Sequence, residues 1–236
     1  MDPSGSATSA LLAIARGVAD DRALARQICW VCMDALAMDG AAISLLTGSP
    51  SRQTLCATDA TAERLEDLQF GLNEGACMEA AATGRPVLVP DLHTSPRAAR
   101  WPIFAAAVAE QTDVGALFAL PLQWGTVNLG VLDLYRRVPG DLTAAQYRDV
   151  VSAADTAALM MLGLRTDPGG VDWLDPALGG RAEIHQATGM VLVQLGINAT
   201  DALARMRAYA FTEQRLLVDV ARDVVGRRLS FTEEME

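Results

Sequence analysis

Gly115-Ala116-Leu117-Phe118-Ala119-Leu120-Pro121-Leu122 and Leu129-Gly130-Val131-Leu132-Asp133-Leu134-Tyr135 are two apolar runs, with Gly125 and Asn128 between them. Both are strand-length and rich in branched residues, so they read as two strong strands. Upstream, residues 103–111 read as a helix and residues 90–102 as a polar loop with three prolines. Residues 86–89 read as a strand, and residues 79–83 as a helical turn stopped by Gly84. Residues 61–70 read as a short helix capped by Thr61, with Arg64 and Glu66 facing outward. A short apolar strand over 41–46 and a partner over 54–58 flank the turn Gly48-Ser49-Pro50. In residues 9–38, Leu12, Ala15, Val18, Leu24, Ile28, Val31 and Leu36 recur at helical spacing, which predicts one helix ended by Gly40. Residues 143–164 form a second long helix. Strands and helices do not alternate strictly, so the class is α+β: an antiparallel sheet flanked by helices.

Residues 166–180 break the pattern. Asp167-Pro168-Gly169-Gly170 and Pro176…Gly179-Gly180 punctuate an acidic linker. Beyond it, three helices are expected over 181–195, 199–210 and 213–228, each with one apolar stripe, forming a small all-α bundle. Asn198 caps the second and Thr212 the third. The domains are thus 9–165, a linker 166–180, and 181–229.

At 51% hydrophobic residues and a mean hydropathy of +0.20, the chain has ample material for packed cores. Its longest apolar stretches fall short of the roughly 20 residues a membrane span needs, and no secretory signal is evident. Four cysteines in a well-cored chain suggest reduced thiols in a cytoplasmic protein. The net charge of −10 argues at first against nucleic acid, but it is unevenly spread. Residues 181–229 hold seven arginines and five acids and are the one positive segment. Every base is arginine, a planar bidentate donor to phosphate.

Leu72-Asn73-Glu74-Gly75-Ala76-Cys77, Ala80…Thr83-Gly84-Arg85-Pro86-Val87 and Pro90-Asp91-Leu92, followed by Arg100-Trp101-Pro102 and the two strong strands, resemble in their order the GAF domain family. The resemblance covers about residues 10–165, with Ala76 where proline is usual. It implies a ligand-sensing or dimerising module, with Cys77, Trp101 and Phe104 as candidates to line a small-molecule pocket. Ala187-Thr188-Gly189-Met190-Val191-Leu192, Ala202-Leu203…Met206-Arg207…Ala210 and Arg215-Leu216…Val220-Ala221 resemble the ANTAR family over about residues 178–229. That resemblance implies a bacterial RNA-binding antiterminator that recognises paired hexaloop stem-loops as a dimer. Splayed loop bases are accessible to protein, whereas the A-form major groove is not. Candidate RNA contacts are the polar residues off the core stripes: Arg205, Arg207 and Tyr209 on the second helix, and Thr212, Gln214 and Arg215 at the turn into the third. Arg215 is expected in the first turn of that helix, where free N–H groups favour phosphate. Ala187 and Gly189 are read as a close helix crossing, and Arg227 and Arg228 as C-terminal charges on the helix.

No Walker A, G-x-S-x-G or H-E-x-x-H string occurs, so binding is expected, not catalysis. No cofactor or metal is expected. Only His93 and His185 could ligate haem, and His93 lies in a polar loop. Cys77 is either a buried structural thiol or a tetrapyrrole attachment point. Cys29 and Cys32 make a C-x-x-C within a helix, either two core residues one turn apart or a redox pair. The apolar surplus on the 9–38 and 143–164 helices points to a dimer bundle, or else to helices that merely cover the sheet. The alternative function is a haem, bilin or thiol-redox sensor whose C-terminal helices act only in protein interaction.

Overall fold

The structure is a computed structural model that describes residues 6–14, 21–46, 52–125, 127–165, 180–213 and 215–231. The chain divides into two compact units between Val171 and Asp172. The expected linker falls, over 166–179, outside the described residues.

In the first unit the two apolar runs form β4 (Ala116–Trp124) and β5 (Val127–Arg136), an antiparallel pair running from Ala116 opposite Arg136 to Trp124 opposite Val127. β1 (Gly40–Leu46) lies on the other side of β5, with β2 (Arg52–Ala57) beyond it. β3 (Val87–Val89) pairs with β4. The five-stranded sheet has the order β2-β1-β5-β4-β3, antiparallel throughout. Two glycines sit where β1 and β5 pair. A Cβ on Gly130 would strike the Ser44 carbonyl, and one on Gly40 would strike the Tyr135 ring and the Asp59 carboxylate.

One face of the sheet is covered by α3 (Ala60–Leu72), α4 (Ala76–Thr83) and α5 (Pro102–Gln111), which close a core containing Leu65, Leu68, Cys77, Phe104, Leu117 and Val131. α1 (Ser6–Ile14), α2 (Asp21–Ala35) and α6 (Ala144–Arg165) form the other layer. The single helix expected over 9–38 is therefore two: α1 packs against both α2 and α6, which a continuous rod cannot do. Gly17, a weak helix former that a periodicity count passes over, lies in the interval 15–20, outside the described residues.

α3 begins earlier than expected. Asp59, not Thr61, is its cap, accepting hydrogen bonds from the Thr61 and Ala62 amides at 2.8 and 2.9 Å. Its carboxylate also accepts from the Thr58 hydroxyl at 3.0 Å and the Tyr135 hydroxyl at 3.1 Å, tying the helix start to β5. Glu66, expected to face outward, is buried at 2% exposure, because hydroxyls on the sheet receive its carboxylate.

The second unit contains α7 (Gly180–Leu195), α8 (Ala199–Thr212) and α9 (Leu217–Val225), each packed on the other two. Ile184, Ala187, Val191, Ala202, Met206, Val220 and Val224 meet in its core. Asn198 caps α8, accepting from the Asp201 amide at 2.9 Å and donating to the Asp201 carboxylate at 2.8 Å. Thr212 does not cap the third helix. It ends α8 and donates its hydroxyl back to the Ala208 carbonyl at 3.0 Å. Gly189 is not at a close crossing either: it is exposed, and a Cβ there would meet nothing within 4 Å. The crossing is made by Ala187 alone of the two. Among the described residues no helix is long and apolar enough to cross a membrane.

Asp59 combines a helix cap with a cross-link to the sheet. Replacement by Ala is expected to cost about 1–2 kcal/mol, read as a lower denaturant midpoint with an unchanged slope. An unaltered midpoint would refute the assignment.

Candidate functional site

The string Glu74-Gly75-Ala76-Cys77 has a specific job in the first unit. Glu74 sends its carboxylate to the start of α5, accepting from the Ile103 and Phe104 amides at 3.1 and 3.0 Å. Gly75 holds φ at +115°, and any Cβ there would collide with the Gln69 side chain. That space lets the wholly buried Gln69 accept from the Cys77 amide at 2.7 Å and donate to Asp133 on β5 at 3.3 Å. Glu66, one turn earlier on α3, accepts from Ser44 on β1 and from Thr54 on β2.

Glu66, Cys77 and Asp133 are all buried, and one ligand atom from each lies within 4.8 Å of the others. Two carboxylates and a thiol form a mixed oxygen–sulfur donor set, of borderline softness toward transition metals. Spacing along the chain could not find this cluster, because its members come from α3, α4 and β5. A motif search for regular Cys and His ligands does not weigh scattered carboxylates.

Cys77, Trp101 and Phe104, the expected pocket residues, are packed into the core at 0%, 7% and 0% exposure. The Trp101 and Phe104 rings meet edge to face at 6.5 Å. A cavity of about 10 Å³ lies beneath the sheet, lined by Ala42, Ala62, Leu65, Leu117, Asp133 and Tyr135 among others. It has room for about one water molecule, and none of the three expected residues lines it. Its neighbour Tyr135 has its hydroxyl pushed up to about 12, by burial and then by the Asp59 charge.

In the second unit, four of the six RNA candidates lie on α8 and do not share one face. Arg205, Tyr209 and Thr212 follow one another at helical spacing along one flank. Arg207 is two residues on from Arg205, roughly 200° round the helix, on the opposite flank of the buried stripe. Arg207 is half-buried, and burial lowers its guanidinium pKa. One turn beyond it stands Phe211, 59% exposed, an aromatic the sequence reading passed over. Arg205 borders an open groove of about 330 Å³ with Ile197, Asp201, Ala204 and Ala208. Tyr209 meets Phe231 edge to face at 5.5 Å, while the Phe231 amide donates to Gln194 at 2.9 Å.

Arg215 does not open the third helix. It lies two residues before α9, its backbone amide donating to the Ala210 carbonyl at 2.8 Å. Its guanidinium donates to Asp223 at 2.5 Å, and Arg228 donates to the same carboxylate at 2.6 Å. Arg228 also reaches the Arg222 carbonyl at 3.4 Å near the end of α9, the place expected of it. Arg222 pairs with Glu183 and Asp219. Among the described arginines of this unit, Arg205 and Arg227 make no ion pair. Gln214 lies outside the described residues.

A family model for the GAF domain matches residues 18–161, and one for the ANTAR domain matches residues 174–225. Solved structures similar to the chain include the GAF domain of a phosphoenolpyruvate-protein phosphotransferase from Acinetobacter, at 15% identity and a TM-score of 0.54. That likeness covers 71% of this chain and 96% of the other. The corresponding domain from Coxiella burnetii matches at 13% identity and a TM-score of 0.54, over 69% of this chain and 96% of that one. A free methionine-R-sulfoxide reductase from Neisseria meningitidis, in complex with its substrate, matches at 15% identity and a TM-score of 0.51, over 70% and 93%. At such identities these likenesses show the fold alone. No curated protein matches the chain.

The Asp223 carboxyl is held below the ordinary carboxylate range, by the hydrogen bond from Arg215 first and that from Arg228 second. A carboxyl lowered on folding adds stability that is present above its unfolded value of about 3.9 and is lost as pH falls through its folded value. Arg215→Gln is expected to move the Asp223 midpoint upward in a carboxyl-resolved NMR titration. A midpoint that stays put would show that Arg228 alone holds the carboxylate.

Proposed function

Because this chain belongs to the GAF domain family and carries an ANTAR domain behind it, we propose that it is a bacterial regulator of transcription termination that binds paired hexaloop RNA stem-loops. At the coarser level it has a sensory domain followed by an RNA-binding output domain, and both are regulatory modules, not catalytic ones. The observation that carries the proposal is the ANTAR match, whose residues 174–225 take in almost the whole three-helix unit. The proposed division is 9–165 for sensing and dimerisation, 166–180 as linker, and 181–229 for RNA, in a cytoplasmic protein.

Electrostatics favours selective over general RNA binding. Seven arginines against five acids leave residues 181–229 a net charge of only +2, and three of the seven arginines are paired with acids of the same unit, so non-specific phosphate attraction is weak. The contacts proposed are Arg205 with Tyr209 and Thr212 on one flank of α8, and Arg207 with Phe211 on the other, with Arg215 and Gln214 at the turn. Phe211 offers an exposed ring on which a loop base can stack.

The sensing proposal is a small-molecule or redox signal. A ligand at Cys77, Trp101 and Phe104 would have to open a packed core. Exposed apolar side chains on the outer helices support a dimer: Leu12 at 58%, Trp30 at 49%, Tyr147 at 41% and Leu159 at 47% exposure.

Arg205→Ala and Phe211→Ala are each expected to weaken binding to a paired-hairpin RNA by about 1–3 kcal/mol, with Arg215→Ala costing less because Asp223 already holds that charge. Fluorescence titration against the paired hairpin and a scrambled-loop control tests this. Equal affinity for the two RNAs would defeat specific recognition; unchanged affinity in both variants would defeat the residue assignment.

The dimer has its own check. Light scattering at tens of micromolar protein is expected to give twice the chain mass, and Trp30→Glu to return it to one chain. A monomeric wild type would refute the bundle.

A further inference from the structure

Two thiols meet where α2 crosses the edge strand β2. Cys29 and Cys32 lie one turn apart on α2 and are wholly buried, whereas Cys56 on β2 keeps 8% exposure. α2 packs directly on β2. Cys56 stands opposite Ile43 on the sheet face away from the α3–α5 core, which places its side chain on the α2 side beside Cys29, and both thiols are free. The sequence suggested Cys29 with Cys32 as a C-x-x-C; the fold instead turns Cys29 toward a cysteine on another element.

We propose that Cys29 and Cys56 are a peroxide-oxidisable pair, with Cys56 the attacking thiol and Cys29 the resolving one, closing a disulfide between α2 and β2. Geometry sets the order. Cys56 is the more accessible of the two and lies on the outermost strand of the sheet. Charge agrees with it. The Cys29 hydrogen bond, with a smaller contribution from Arg26, holds the Cys56 thiol below its ordinary value against the opposing effect of burial. Burial first, and the Cys56 contact second, push Cys29 upward, so it keeps its proton until the second step. Cys32 is pushed up to about 12 by burial and then by Asp149, which leaves it a bystander.

In the first step the Cys56 thiolate attacks the terminal oxygen of a hydroperoxide. An S–O bond forms, the O–O bond breaks, and the departing alkoxide or hydroxide takes a proton from solvent. In the second, the Cys29 sulfur attacks the Cys56 sulfenic acid. The S–S bond forms, the S–O bond breaks, and hydroxide leaves with the Cys29 proton as water. Two thiols lose two electrons, and the hydroperoxide is reduced to an alcohol or water. The product ties the middle of α2 to the sheet edge, and this inference stands apart from the RNA proposal.

The test uses the reduced full chain and hydrogen peroxide as probe, with free thiols counted and cross-linked peptides mapped by mass spectrometry. The wild type is expected to fall from four free thiols to two, with Cys29 joined to Cys56. Cys56→Ser is expected to keep all its thiols under the same exposure, and Cys29→Ser to yield a Cys56 sulfenic acid trapped by dimedone. Retention of four thiols by the wild type, or a Cys29–Cys32 link, overturns the proposal. Should either variant fail to fold, brief alkylation of the wild type decides it: modification first at Cys56 supports the assignment, and first at Cys29, Cys32 or Cys77 overturns it.

Discussion

The carboxamide of Gln69 holds the sensory domain together. One of its ends accepts the Cys77 amide at the start of α4, and the other donates to Asp133 in the middle of the sheet. A buried amide is costly to leave unpaired, so helix α3, helix α4 and strand β5 are fixed relative to one another by a single side chain. The condition on this arrangement is Gly75, because no other residue leaves room for Gln69 at that turn. Glu74 then fastens α5 to the same corner. The short family string is thus a joint where three helices meet the sheet, and the packing of Cys77, Trp101 and Phe104 follows from it.

Much of the fold was legible because burial imposes a period. The β4 and β5 runs, the helix expected over 103–111 and the Asn198 cap all carry local signals, and the structure puts each where its signal stands or within a residue or two. The misplaced features depend on distant partners. Glu66 looks like a surface acid on α3 until Ser44 and Thr54 are brought opposite it. Arg215 looks like a helix opener until Asp223, eight residues on, claims its guanidinium and α9 starts late. Gly189 reads as a packing residue by analogy alone, and nothing faces it. Phe211 was missed because an exposed aromatic beside a buried stripe has no signature in sequence; only its exposure distinguishes it.

In the output domain, acids do as much as bases. Asp223 accepts two arginines and Glu183 a third, so three of the seven arginines of residues 181–229 are engaged in bracing α9. Such pairs are exposed and individually weak. Their effect on recognition is larger than their effect on stability, because they decide which guanidiniums remain available to a phosphate or a base. α8, with Arg205 on one flank and Phe211 on the other, keeps that capacity.

Gly40 and Gly130 act on β1 and β5 as the two marks of a vernier. One stands opposite Tyr135 and the other opposite Leu45, near opposite ends of the same pairing. Sliding β1 by two residues would preserve which side chains face each helical layer, so burial alone does not forbid the slip. It would, however, bring a side chain to each place where only hydrogen fits, at both ends together. The alignment of the central strands is therefore set by the absence of two Cβ atoms, which makes these positions far less open to substitution than their plain chemistry suggests.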